Sequence, residues 1–245
     1  MSFSRTWIPN QHGAWAFLVT PVLVGALAGG VNGWHLLLLL TWLSAYCLNF
    51  YASLAIKTRK PQRYLRQLTT YGAATVVTGL PLLWHDLALL RLLAFALPAF
   101  AVNVWHVRQR NERAWLNDFV GIALAGVVGY GAYLLGSTPS TTTRAHHALL
   151  ALTATCLYFG GTVVYVKTMI RERGSRTWMR ISYASHGALV VLATLERAWV
   201  LVVVALALLA RAILVPRLGW TPKRIGLTEI AFTVAVAVGA LVTLP

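Results

Sequence analysis

Nine apolar runs, most of them about as long as a lipid bilayer is thick, constrain this chain more than any other feature. A membrane-spanning helix needs about 20 mostly apolar residues. The runs lie at 14–29, 34–56, 68–84, 87–105, 115–135, 148–166, 181–195, 198–215 and 225–244. Because 58% of the residues are hydrophobic and 11% are charged, a soluble globular protein is excluded. The pattern predicts an all-α integral membrane protein with nine transmembrane helices. We expect residues 1–245 to form a single transmembrane domain, with 1–13 as a cytoplasmic or interfacial N-terminal segment.

The basic residues fall on one side of these runs. Of the 21 Lys and Arg residues, 18 lie in the amino-terminal segment and in alternate connections. The positive-inside rule places that side in the cytoplasm. We therefore expect a bacterial-type cytoplasmic membrane protein with a cytoplasmic amino terminus and an external carboxyl terminus. The net charge of +15 could indicate nucleic-acid binding, but the cations form short clusters between apolar runs. Lipid or an isoprenoid is the predicted partner, and no nucleic acid is expected.

Polar side chains inside the runs collect near the basic face. Such groups are costly in hydrocarbon, so they usually face a cavity or a partner. Asn49, Ser53 and Lys57 are spaced four residues apart and therefore share one face of the second helix. The other candidates for lining a cavity are Asn103, His106, Asp118, Tyr158, Tyr165 and His186. We predict a cytoplasm-facing basic cavity between the second, fourth, fifth, sixth and seventh helices.

Six residues are candidates for holding the head group of an anionic ligand: Asn49, Lys57, Arg108, Arg110, Lys167 and Arg171. Arginine binds phosphate oxygens through two donors at once, which favours a phosphate or diphosphate carried on a lipid or isoprenoid chain. The positive-inside rule alone explains most loop cations. Lys57 and Lys167 differ because each ends a helix that carries other polar residues. No catalytic residue is assigned, and Asp118 is the only carboxylate that we expect to be placed as a base.

The opening Trp7-Ile8-Pro9-Asn10-Gln11-His12-Gly13-Ala14-Trp15 runs into a first helix that contains Pro21. It resembles the signature of the YwiC-like membrane proteins. The stretches 108–121 and 165–174 also resemble that family, so the resemblance extends over most of the chain. It implies no particular activity.

A more distant resemblance is to the UbiA superfamily of intramembrane prenyltransferases, which have nine helices and two polar motifs at the inner ends of helices two and six. It implies a UbiA-like bundle, in which Asn49 stands where the first motif begins. In that superfamily aspartates chelate the Mg²⁺ that holds an isoprenoid diphosphate. Here Ser53 and Lys57 occupy the expected acidic positions, and residues 158–171 contain no carboxylate. Because Mg²⁺ prefers carboxylate oxygens, we predict no metal site and no cofactor, and we do not expect Mg²⁺ at the usual UbiA positions.

Two interpretations follow, and they leave open whether the chain is an enzyme. In the first, lysine and arginine neutralise the head group directly, in a lipid-binding or metal-independent prenyltransferase-like protein. In the second, the chain is a non-enzymatic accessory subunit or lipid-binding scaffold of a membrane complex, and the basic face docks acidic lipid or a membrane-protein partner. A transporter ranks third, because transport coupling needs ionisable residues at mid-membrane and the runs hold almost none.

Overall fold

The computed structural model describes residues 7–112, 114–170 and 172–242, except for the side chains of His12 and Pro222. Within these ranges the chain forms nine α-helices and no β-strand. The helices are α1 (His12–Gly29), α2 (Trp34–Thr58), α3 (Leu65–His85), α4 (Arg91–Arg108), α5 (Trp115–Leu134), α6 (Thr142–Ile170), α7 (Arg176–Leu195), α8 (Trp199–Leu214) and α9 (Pro222–Val242). Short 3₁₀ turns precede α3 (Pro61–Tyr64) and α4 (Leu87–Leu90) and follow α8 (Val215–Arg217).

The number and order of the helices confirm the prediction. Each apolar run coincides with one helix, because hydrocarbon forces every backbone group to be hydrogen-bonded within its own segment. The largest differences in position are at α6 and α7, which begin earlier than predicted, at Thr142 and Arg176. Polar residues outside the apolar run continue these helices.

Six of the helices in the described residues are long and apolar enough to cross a membrane: α2, α4 with its preceding turn, α5, α6, α8 and α9. α1 is apolar but shorter, over Gly13–Gly29. α3 and α7 carry more polar residues, which lower their mean hydropathy. The chain is therefore an all-α, multi-pass membrane protein.

Residues up to Pro139 form one compact unit, unit 1. Here α1 packs along α5, α2 packs along α3, and α4 contacts both α2 and α5. The α1–α5 contact is very close, because a Cβ built on Gly25 would lie 1.8 Å from the backbone oxygen of Gly129. Small residues at such contacts let the backbones of two membrane helices approach each other. The mutual contacts of α2, α4 and α5 bring their polar residues together.

Residues from Ser140 onward form a second compact unit, unit 2. α6 contacts α7 and α9, and α8 contacts the same two helices, so the four helices form a closed ring. Side chains on the inner face of α6, such as Tyr158 and Tyr165, are almost completely buried. A polar side chain in the interior of this ring therefore needs a hydrogen-bond or ion-pair partner from the protein itself.

Other aspects of the predicted architecture stay predictions: the UbiA-like arrangement, the single domain over 1–245, the type of membrane and the orientation of the termini. Residues 1–6 of the predicted N-terminal segment lie outside the described residues.

Candidate functional site

A chain of hydrogen bonds joins α2, α4 and α5 in unit 1. The Ser53 hydroxyl on α2 donates to Asn103 Oδ1 on α4 (3.1 Å), and Asn103 Nδ2 donates to Asn117 Oδ1 on α5 (3.2 Å). Asn117 Nδ2 in turn donates to the backbone oxygen of Glu112 (2.8 Å). Two predicted residues, Ser53 and Asn103, are thus in direct contact.

Lys57 is paired with a carboxylate that the sequence did not suggest as its partner. Lys57 Nζ lies 2.7 Å from Glu112 Oε1, and the two side chains are 44% and 28% exposed. Lys57 stands in the last turn of α2, whereas Glu112 belongs to the connection between α4 and α5. The pair therefore holds that connection beside the end of α2, and the role of Lys57 at a head group stays a prediction.

Arg108 is the last residue of α4 and Arg110 lies in the connection, and both are exposed. Arg110 has φ 56°, and Arg59 at the end of α2 has φ 54°. This left-handed conformation normally favours glycine at the end of a helix. Neither Arg108 nor Arg110 forms an ion pair with another described residue. Their positive charge is thus available at the surface of unit 1.

The remaining predicted residues of unit 1 have different environments. Asn49 Oδ1 is buried without a hydrogen-bond partner in the described part of the chain, and so are both ring nitrogens of His106, which is 4% exposed. Asp118 is half-buried in the first turn of α5. These residues lie on the same three helices as the hydrogen-bond chain.

Unit 2 contains a buried ion pair that the sequence interpretation missed. Arg211 stands near the basic end of the eighth apolar run, where the positive-inside rule predicts a cation that reaches the head groups, but it is 6% exposed within α8. Its Nη1 contacts Glu229 Oε1 on α9, where the Glu229 side chain is 14% exposed. The expectation that Asp118 is the only carboxylate placed as a base stays a prediction. Arg211 and Glu229 lie one to two turns from the ends of their helices, so the expectation of almost no ionisable residues at mid-membrane also stays a prediction.

The second carboxylate oxygen of Glu229 is held by α6. Thr162 donates to Glu229 Oε2 over 2.9 Å, and Tyr158 Oη lies 3.1 Å from the same atom. Tyr158 Oη is also 2.9 Å from the backbone oxygen of Glu229 and 3.0 Å from the Thr233 hydroxyl. Tyr158, predicted to line a cavity, instead takes part in this network.

Arg211 is enclosed by aromatic side chains and a histidine. Its Cζ lies 4.2 Å from the centroid of the Tyr165 ring and 4.8 Å from that of Phe232, as in cation–π contacts. Arg211 Nη2 lies 3.4 Å from His186 Nε2, and His186 Nδ1 lies 2.7 Å from the carbonyl oxygen of Ser182. Because a carbonyl only accepts, Nδ1 carries the hydrogen and Nε2 accepts from Arg211. The predicted residues Tyr165 and His186 therefore meet around a buried charge.

The two other predicted cations of unit 2 are Lys167 and Arg171. Lys167 is half-buried in the last turn of α6, with Nζ 5.6 Å from the Trp178 ring centroid. Arg171 lies outside the described residues. A small hollow in unit 2 is lined by Glu196 and by apolar residues such as Ala151 and Ala154, and it has room for about one water molecule. It is too small for a lipid head group.

A sequence signal for the missed pair was present. Arg211 and Glu229 are isolated charges of opposite sign in two consecutive apolar runs. In hydrocarbon, such charges usually pair with each other.

Comparisons with known proteins agree on one group of relatives. A family model described as YwiC-like protein matches residues 8–133. The chain is 32% identical over 226 residues to "Uncharacterized protein YwiC" of Bacillus subtilis (strain 168), which covers 92% of this chain and 93% of that protein. It is 28% identical, with the same coverage, to an "Uncharacterized protein" of Haemophilus influenzae (strain ATCC 51907 / DSM 11121 / KW20 / Rd). No solved structure matches the chain. The resemblance to the UbiA superfamily stays a prediction.

Proposed function

The chain belongs to the YwiC-like family, and we propose that it binds the phosphate-bearing head group of an anionic lipid or isoprenoid at the basic end of unit 1. One observation carries the proposal. The Lys57–Glu112 pair holds the α4–α5 connection, which contains Arg110 and directly follows Arg108 at the end of α4, beside the end of α2. A local excess of positive charge is what an anionic head group requires.

The chemistry of these cations favours phosphate. The planar guanidinium group presents paired donors that match two oxygens of a phosphate. Glu112 carries a single negative charge and so balances at most one of the positive charges of this end, and its pair with Lys57 is partly exposed, so solvent weakens it. A phosphate that displaces Glu112 would gain Lys57 as a third cationic partner.

Apolar side chains beside the cations favour a ligand with a hydrocarbon chain. Trp105 in the last turn of α4 is 52% exposed, and Trp115 at the start of α5 is 58% exposed. Tryptophan at the end of a span typically lies at the level of the lipid head groups. Prenyl transfer, which the UbiA resemblance implies, would require a base in addition, and Asp118 is the carboxylate of unit 1 that we propose for it.

The variant Arg110→Gly should change ligand affinity without lowering the stability of the protein. Glycine relieves the left-handed backbone, which costs other residues roughly 1–2 kcal/mol, so we expect equal or higher thermal stability. The same change removes a charged hydrogen bond to phosphate of about 1.5–3 kcal/mol, so affinity for farnesyl diphosphate should fall by about tenfold or more. Equilibrium binding in non-ionic detergent micelles measures this loss.

Arg197→Gly is the matched control, because Arg197 is exposed, has φ 56° and ends α7 rather than α4. It should gain the same stability and keep full affinity. Farnesol, which has the same chain without the charge, should bind more weakly than the diphosphate. Equal affinities of the two glycine variants, or equal binding of alcohol and diphosphate, would contradict the proposal. Stable purification in a larger complex without binding of either ligand would favour the scaffold alternative.

A further inference from the structure

The Arg211–Glu229 pair places two opposite charges in a buried contact of unit 2 that apolar side chains could also make. Replacing a buried ion pair by well-packed apolar residues is often neutral or stabilising. Ionisable residues inside membrane helices instead mark ion pathways and proton relays. Arg211 lies one turn before the end of α8, and Glu229 lies two turns after the start of α9. We infer that this pair is a proton-binding site, in which Glu229 takes up and releases one proton inside the helical ring of unit 2.

The hydrogen bonds around Glu229 allow a protonated state without movement of any heavy atom. In the deprotonated state, Oε2 accepts from Thr162 and from Tyr158. A phenol both donates and accepts. When Oε2 gains a proton, its O–H can donate to Tyr158 Oη. The phenol hydrogen then turns to the backbone oxygen of Glu229 at 2.9 Å or to Thr233 at 3.0 Å.

The histidine in the same cluster stays neutral in both states. Its Nδ1 donates to the Ser182 carbonyl, and a second proton on Nε2 would face the guanidinium group of Arg211. The groups of this cluster that can ionise are Tyr158 and Tyr165 on α6, His186 on α7, Arg211 on α8 and Glu229 on α9. Tyr183 on α7 also packs against the core around Tyr165. Glu229 is the acid among them whose neighbours supply both a donor and an acceptor.

Proton uptake changes the charge of the cluster from zero to plus one. The deprotonated cluster balances Arg211 against Glu229, whereas the protonated cluster leaves the guanidinium group without a carboxylate. Three buried side-chain atoms of residues in this cluster have no hydrogen-bond partner in the described part of the chain: Arg211 Nε, Tyr165 Oη and Ser182 Oγ. Each of them can donate a hydrogen bond. Proton binding at Glu229 therefore weakens the α8–α9 link and makes an arriving acceptor, such as an anion or water, more favourable at Arg211.

Infrared difference spectroscopy of the full chain in lipid nanodiscs tests the inference. Acidification within the range where the protein stays folded should produce, reversibly, the carbonyl stretch of one protonated carboxylic acid. Glu229→Gln should lose this band completely. Glu196→Gln, which removes an exposed carboxylate at the end of α7, should keep it. A band that survives in Glu229→Gln, or no band before acid unfolding, would overturn the proposal in favour of a structural ion pair.

Two further variants keep the test decisive if Glu229→Gln does not fold. The double variant Arg211→Gln with Glu229→Gln is electrically neutral and should also lack the band. Tyr158→Phe keeps the carboxylate but removes the hydroxyl that donates to its deprotonated form. Because a hydrogen bond to a charged acceptor is stronger than one to a neutral acid, this variant should still show the band, and at a lower proton concentration than the parent protein. An unchanged midpoint in Tyr158→Phe would contradict the proposed role of Tyr158 as the hydrogen-bond partner of the titrating carboxylate. This site is independent of the head-group proposal, which concerns residues of unit 1.

Discussion

Removing one member of the Arg211–Glu229 pair should destabilise the protein much more than removing both. Arg211→Gln leaves a buried carboxylate without its cation, and breaking a buried ion pair costs about 3–5 kcal/mol. The contacts of Arg211 with the Tyr165 and Phe232 rings contribute roughly 0.5–2 kcal/mol more. The double glutamine variant buries two neutral amides and should cost only about 1–3 kcal/mol. The two single changes should therefore show a coupling energy of roughly 3 kcal/mol or more.

A double-mutant cycle measures this coupling. The free energy of unfolding is determined in the same mixed micelles for the parent protein, Arg211→Gln, Glu229→Gln and the double variant. Glu196→Gln serves as the control, because its exposed side chain should contribute less than about 1 kcal/mol.

Additive effects would refute the reasoning. A coupling energy within about 0.5 kcal/mol of zero is the value for residues that do not interact. It would mean that the two charges are not a buried pair in the membrane, and the proton-binding proposal would then lose its geometric basis. A double variant as unstable as the worse single variant would show instead that amides cannot fill the site.

Two predictions concern unit 1. Gly25→Ala should force α1 away from α5 and destabilise the protein by roughly 3 kcal/mol or more. Gly13→Ala in the same helix is the control: its Cβ meets nothing within 4 Å, so it should be neutral or stabilising by up to about 1 kcal/mol. Thermal unfolding measures both variants, and equal shifts in melting temperature would contradict the close α1–α5 contact. Asn103→Ala should cost about 1–3 kcal/mol because it leaves Ser53 and Asn117 without their shared partner, and a loss no larger than that of an exposed substitution would argue against the hydrogen-bond chain.

The helices and part of unit 1 could be predicted because their signals are local. An apolar run of sufficient length specifies a helix by itself. The four-residue spacing of Asn49, Ser53 and Lys57 places them on one face without knowledge of any other helix. The sequence predicted that Ser53 and Asn103 lie near the same membrane face. It did not predict their contact, because the sequence does not contain the distance between two helices.

The charges of unit 2 were misjudged for a physical reason. The positive-inside rule treats an arginine near the end of an apolar run as one that reaches the head groups. Arg211 satisfies that description, and only the packing of α9 against α8 shows that Glu229 keeps it inside. The ion-pair partner of Lys57 could not be predicted either, because Glu112 lies 55 residues further along the chain.

The two proposed sites differ in what their charges allow. At the end of unit 1 the cations exceed the carboxylates and are exposed, which suits an anion that arrives from the membrane surface. In unit 2 the charges balance and are buried, which suits a ligand as small as a proton. Because the two proposals concern residues of different units, Arg110→Gly should lower the affinity for farnesyl diphosphate and leave the midpoint of the infrared band unchanged. A shifted midpoint in Arg110→Gly would show that the two sites are linked.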